Sequence, residues 1–310
     1  VLDATTAGNG DWTGWEIHGQ PCYRIPIPVS LGWDLVAPMV GLAQGMIDEF
    51  TARLIGTSGP GKTAENQAIQ SRLSEATAAV DAGRVFMYHD IREMFEKANA
   101  GETFTPLERA RYRRDKAFIA QLCLRSVNRL FDLSGGHALF DTEALQRIHR
   151  DAHAVAHRDG LIMDLGGQAY GKVALGPASE KGIYLPANTD SQVNDLTAEE
   201  LLGRAADLVP ILRSRAAHNE ELRRVPDETV QDILSAGLYR IGVPPRFGGL
   251  DVDYSLVLDV GMELGRGCGS SSWCYSVWAV HGCMVGHWAL QAQEEVFADG
   301  PDVLISSSLN

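Results

Sequence analysis

Positive charge is in short supply. The 310-residue chain carries 27 Lys and Arg against 40 Asp and Glu, a formal net charge of −13. No basic stripe is available to neutralise phosphates, so a nucleic-acid partner is not expected. The acidity is uneven: residues 1–178 hold 18 basic and 21 acidic residues (net −3), residues 179–310 hold 9 and 19 (net −10). A solvated, solubilising surface accounts for it. Cysteine is scarce too. Five are scattered at 22, 123, 268, 274 and 283 with no C-x-x-C pair, which argues against a disulfide framework or a zinc site and for reduced thiols in a cytoplasm. No apolar run reaches the length of a membrane span and no signal peptide is visible, so no membrane partner is expected. Internal repeats are missing as well. What remains is ordinary globular composition, 45% hydrophobic and 22% charged, in a chain long enough for two domains with cores of their own. Val1 and Asn310 lack the character of natural termini, and a piece of a longer chain is expected.

Residues 1–28 are rich in Gly, Trp and Pro and end in PCYRIPIP; the alternating prolines predict an extended segment. From Asp34 to about Ile55, Leu35, Met39, Leu42, Met46, Phe50 and Leu54 recur at helical spacing. A Gly/Pro loop at 56–61 ends that helix, and a second runs from about Ala64 to a stop at Gly101. Thr105-Pro106-Leu107-Glu108 combines an N-cap, an N1 proline and a capping-box glutamate, opening a third helix that ends near Gly135-Gly136. Asp141 or Thr142 caps a fourth. Four long helices with short loops predict an antiparallel bundle. Residues 177–195 are polar and aperiodic, a linker. Thr197 to Glu200 is another capping box, and helices are predicted from Pro226 to Gly237, over 255–265 and over 271–295. Asp302-Val303-Leu304-Ile305 has the pattern of a first strand.

Several motifs have competing readings. Gly56 to Thr63 fits the phosphate-loop pattern G-x-x-x-x-G-K-S/T, but that loop needs a buried strand before it and a helix precedes it here. It reads as an ordinary connection. His149, His153 and His157 stand at i, i+4 and i+8 on one helix. Such spacing can present imidazoles to a metal, yet no H-E-x-x-H pattern supplies the rest of a ligand set, and no metal is expected. His281 shares a helix face with Val277, Trp278 and Val285, which by pattern alone makes it a hydrogen-bonded core histidine. Ser306 to Ser308 by themselves mark only the start of a polar loop.

Two stretches carry a resemblance. LSGGHALFDTEALQRIHRDAHAVAHRDG (133–160) and VPDETVQDILSAGLYRIGVPPRFGGL (225–250) resemble the flavin-dependent aromatic monooxygenases built on the acyl-CoA dehydrogenase fold, such as the oxygenase components of 4-hydroxyphenylacetate and secosteroid hydroxylases. In that family the second stretch lies near the N-terminus, the first near the C-terminus, and a β-domain between them. Here the order is reversed. The resemblance implies a mainly α fold: a β-domain exit remnant at 1–28, a C-terminal-type helical bundle at 29–176, the linker 177–195, an N-terminal-type helical domain at 196–299, and the start of a truncated β-domain at 300–310. It further implies reduced FMN or FAD delivered by a separate flavin reductase, O₂, a small aromatic substrate, and a homo-oligomer such as a tetramer.

Site residues follow from the same resemblance. His157 matches the histidine beside the reactive edge of the flavin, where an imidazole can donate as dioxygen is activated. His281, eight residues after the tryptophan of RGCGSSSW, matches the substrate-binding histidine that shares the phenolic proton, with Trp278 close by on the same helix. Ser307 and Ser308 fall where the family's chain enters the β-domain and touches substrate or flavin. Two other readings remain. An acyl-CoA dehydrogenase needs a catalytic carboxylate, for which Glu143 is the nearest candidate although the tyrosine-glutamate-glycine signature is absent. A rearranged helical scaffold that only oligomerises is the third.

Overall fold

The computed structural model describes residues 13–57, 65–176 and 196–306, and every regular element among them is helical. A short helix α1 (Gly14–His18) and a 3-10 turn (Pro21–Arg24) precede α2 (Ile27–Ser30). The proline-rich segment is therefore not the extended passage its sequence predicts. Pro28 falls in the first turn of α2, where a missing N–H breaks no intrahelical bond. Then come α3 (Trp33–Thr57), α4 (Gln67–Ala100) and α5 (Pro106–Asp132). Gly101 ends α4 in the left-handed region at φ +70°. The Thr105 hydroxyl accepts from the Glu108 N–H at 3.2 Å while the Glu108 carboxylate accepts from the Thr105 N–H at 2.7 Å, so the predicted capping box forms.

The fourth predicted helix differs. Neither Asp141 nor Thr142 caps it: Glu143 takes the N-cap position of α6 (Ala144–Ala156), and its carboxylate is drawn away to Arg53 at 3.0 Å and His137 at 3.1 Å. At His157 the helix stops, and after a 3-10 turn a separate α7 (Met163–Ala174) lies along α5. The second group comprises α8 (Leu196–Leu222), α9 (Asp227–Ser235), α10 (Leu256–Gly267), α11 (Gly269–Gly286) and α12 (Leu290–Val296). The single helix predicted over 271–295 thus breaks at His287–Ala289. Asp302–Ile305 forms no strand, because no neighbouring strand exists among the described residues to pair with it. Instead the Tyr239 hydroxyl donates to the Val303 carbonyl, and Arg240 grips Asp302 at 2.9 and 2.7 Å. Residues 58–64, 177–195 and 307–310 lie outside the described residues, as do the side chain of Thr197 and hence its capping box.

One helix belongs to both groups. Leu258 and Met262 of α10, one turn apart, join the core of the α3–α6 bundle. Its other face, Leu256, Val257, Val260 and Leu264, packs into a second core with Leu201, Ala205, Leu208 and Leu212 of α8. Glycine sets the closeness of the α3–α10 crossing: a Cβ on Gly41 would stand 2.2 Å from the Met262 carbonyl oxygen, and one on Gly265 3.0 Å from the Gly41 Cα. Two small residues thereby bring backbone against backbone. Arg266 of α10 adds a bond to Asp48 of α3 at 2.8 Å.

Candidate functional site

The histidines of α6 form a stacked row. Phe131 of α5 lies face to face with His149 at 4.0 Å between ring centroids; His149 follows His153 at 4.5 Å, and His153 follows His157 at 5.9 Å. Burial and the charge of the next imidazole hold His149 and His153 below their ordinary range, so both are neutral at neutral pH. His153 Nε2 pairs with Asn128 Oδ1 at 2.8 Å. His157, exposed at the helix end, directs Nδ1 to the His153 carbonyl at 2.6 Å. A carbonyl only accepts, so that nitrogen carries the proton and Nε2 is the basic one. A metal-like grouping occurs elsewhere, where ligand atoms of His89, Asp90 and Glu93 lie within 4.8 Å of one another. The Arg111 guanidinium already engages both carboxylates, supplying the positive charge an ion would bring.

Next to His157 three elements enclose a cleft. Arg158 follows α6, Arg223 and Arg224 follow α8, and Ser270 and Trp273 open α11. The Arg158 guanidinium stands 5.8 Å from the Trp273 ring centre. Arg223 has φ +55°, the left-handed region that costs a side-chain-bearing residue about 1 kcal/mol. The walls are fastened within the second group and across to the first. Asn219 of α8 donates to Cys268 Sγ and Ser271 Oγ, each at 3.2 Å, and Arg150 of α6 pairs with Glu220. The result is a cleft with an aromatic wall whose edge carries Arg158, Arg223 and Arg224 beside the carboxylates of Asp151 and Glu220.

His281 lies farther along α11. Its Nδ1 bonds the Val277 carbonyl at 2.6 Å, which fixes the tautomer. Nearby a narrow, mostly apolar cleft is lined by Trp33, Asp34, Tyr254, Val280 and Cys283. Asp34 is 4% exposed; burial pushes its carboxyl up, against the opposing pull of the Gly32 N–H at 2.7 Å, of Lys116 and of His281. Buried Lys116 is pushed down to about 8 by desolvation, countered by Asp34, and donates to the carbonyls of Val29 at 3.2 Å and Leu31 at 2.6 Å. Trp278 is half-buried, wedged between the α8–α10 core and a smaller cluster of Tyr239, Val285 and Phe297.

Neither His157 nor His281 lines a cleft itself: His157 adjoins Arg158 of the first cleft, and His281 adjoins Val280 of the second, while α11 contributes residues to both. Trp273, at the first, precedes His281 by eight residues, about 12 Å of helix axis. Ser307 and Ser308 lie outside the described residues. Sequence reasoning passed over Trp273, Arg158, Asp34 and Arg223. Trp273 sat inside the quoted GSSSW motif and Arg158 beside His157, but nothing in the sequence signals the left-handed Arg223.

The profile of the acyl-CoA dehydrogenase C-terminal domain matches residues 34–160, and that of the acyl-CoA dehydrogenase N-terminal domain matches residues 204–298. The chain thus carries an acyl-CoA dehydrogenase C-terminal-type domain followed by an N-terminal-type one. Among curated relatives, the flavin-dependent monooxygenase oxygenase subunit HsaA of Mycobacterium tuberculosis is 35% identical over 118 residues, 38% of this chain and 30% of that protein. The p-hydroxyphenylacetate 3-hydroxylase oxygenase component of Acinetobacter baumannii is 28% identical over 121 residues, 39% of this chain and 29% of the relative. The matched part thus spans less than a third of either relative's length. The crystal structure of the HsaA monooxygenase from M. tuberculosis shares the fold at a TM-score of 0.50, with 24% identity, over 55% of this chain and 45% of that one.

Proposed function

We propose that this chain is the helical part of the oxygenase component of a two-component flavin-dependent monooxygenase, one that hydroxylates a phenolic aromatic with O₂ and reduced flavin (FMN or FAD) from a separate reductase. The observation that carries the reading is the cleft where Arg158, next to His157 in the chain, meets Trp273 from the other helical group, together with relatives named as oxygenase subunits. The cleft fits a reduced flavin, which is flat, apolar on its faces and anionic at one edge: Trp273 offers a ring face, Arg158 and Arg223 offer positive charge. When bound, the flavin supplies the electrons that activate O₂.

The chain's own residues hold and orient. His157, its Nδ1 proton committed to the His153 carbonyl, presents Nε2 to accept or, when protonated, to donate at the flavin edge. His281 takes the phenolic proton, which raises electron density at the neighbouring ring carbon; Trp278 supports that helix, and Ser307 and Ser308 are assigned to substrate and flavin contact. A cytoplasmic location and a homo-oligomer built through residues 34–176 belong to the same reading, and among the described residues no helix is long and apolar enough to cross a membrane. The acyl-CoA dehydrogenase alternative loses its base: Glu143 is held by Arg53 and His137 at the start of α6, thirteen helical residues from its His157 end.

Anaerobic titration with reduced FMN and reduced FAD, followed by tryptophan fluorescence, tests the placement. Among the described residues no β-domain covers the cleft, so binding by the 310-residue chain is weak, and it weakens further in Trp273→Ala and Arg158→Ala. Binding indifferent to both substitutions refutes the assignment, and no binding at all supports the scaffold reading. In a chain completed with a β-domain, His281→Ala raises substrate KM and slows hydroxylation, whereas His157→Ala slows O₂ consumption.

A further inference from the structure

We propose that Cys22 and Cys283 form a redox-modification site, a thiol pair that hydrogen peroxide converts into an intramolecular disulfide tying the N-terminal segment to α11. The inference stands apart from the flavin reading. The two cysteines are 261 residues apart, yet both line the cleft that holds Trp33 and Asp34. Their backbones are clamped on either side. A Cβ on Gly14 would lie 2.4 Å from the Gly286 carbonyl oxygen, and one on Gly286 would lie 2.5 Å from the Tyr23 ring. Tyr23 meets His287 edge-on at 5.1 Å, Thr13 Oγ1 donates to the Trp288 carbonyl at 3.2 Å, and His18 Nε2 pairs with Gln293 Oε1 at 2.8 Å. Held this way, the Cys283 thiol is pushed well up by interaction with the Cys22 side chain and by burial.

Accessibility assigns the order of events. Cys22 is half-buried and Cys283 buried, so a small oxidant entering the cleft meets Cys22 first. The Cys22 sulfur attacks peroxide: an S–O bond forms, the O–O bond breaks, and water leaves, giving a sulfenic acid. Cys283 then attacks that sulfur: an S–S bond forms, the S–O bond breaks, and a second water carries off the Cys283 proton. Two thiols are oxidised by two electrons in all, and one peroxide is reduced to two waters. The remaining cysteines are placed differently. Cys123 is buried in α5, its thiol pushed up to about 12 by desolvation, and Cys268 accepts from Asn219.

The test uses the 310-residue chain, first reduced, then treated with a small excess of hydrogen peroxide. Thiols are counted after denaturation, and cross-linked peptides are identified by mass spectrometry. The expected result is a fall from five thiols to three, a cross-link joining the Cys22 and Cys283 peptides, and an upward shift of Tm that dithiothreitol reverses. In Cys283→Ser the Cys22 sulfenic acid accumulates and is trapped by dimedone; in Cys22→Ser peroxide leaves Tm unchanged. Retention of all five thiols, or a cross-link through Cys123, Cys268 or Cys274, overturns the proposal.

Discussion

Lys116 shows how a buried charge is tolerated in the bundle. Its ammonium caps two carbonyls left over near the end of α2, lies 5.3 Å from the Trp33 ring centre, and faces Asp34, yet burial still holds it down to about 8. The unfolded chain therefore binds more protons than the folded one between about pH 8 and the ordinary lysine value near 10.5. Stability contributed by this residue rises with pH across that window, because the folded state stops carrying a desolvated charge. Against Lys116→Met, the wild type should gain on the order of 3 kcal/mol between pH 8 and 10.5. Urea denaturation of both chains at several pH values measures it; parallel curves would remove Lys116 as the titrating group.

At the scale of elements, contact between backbones separates one glycine from another. Gly41→Ala drives a methyl into the Met262 carbonyl and should cost about 1–3 kcal/mol or more, since neither helix can yield without disturbing its core. Gly203→Ala, on the exposed face of α8 with nothing within 4 Å, should stabilise by about 0.5–1 kcal/mol through helix propensity alone. Thermal melts of the two variants should move in opposite directions. Helix ends set by local chemistry were legible in sequence: the Thr105 capping box and the Gly101 stop both form. Ends decided by distant partners were not. Glu143, drawn to Arg53 and His137, starts α6 one or two residues late, and Asp302–Ile305, without a partner strand among the described residues, bonds Tyr239 and Arg240 instead. The candidate site divides along the same line. His157 and His281 could be singled out because each sits in a continuous motif, whereas the cleft beside His157 needs Arg158, Arg223 and Trp273 from three elements, which no spacing in the sequence relates.

For the molecule as a whole, α10 decides cooperativity. Its Leu258 and Met262 complete one core while Val260 and Leu264 complete the other, so neither group of helices can open without exposing the second. Calorimetry should show one unfolding transition, with calorimetric and van't Hoff enthalpies equal. Two resolved transitions would mean that the crossing is weaker than its packing implies. Large apolar side chains also remain on the surface of the first group, among them Ile55, Val85, Leu139, Phe140 and Leu175. Light scattering should find self-association that Phe140→Glu with Leu139→Lys reduces.

The Gly41–Met262 crossing also has a consequence in time. The two residues are separated by 221 positions (262 − 41). At roughly 5–20 residues per second, a ribosome needs about 10–45 s to deliver α10 after α3 has emerged. Throughout that interval α3 has no α10 to lie against, and its glycine-lined face is open to any apolar surface in the cell. Folding during synthesis is thus governed by a waiting period that the order of the two domains imposes, and the nascent first domain is a natural client for chaperones until the second arrives.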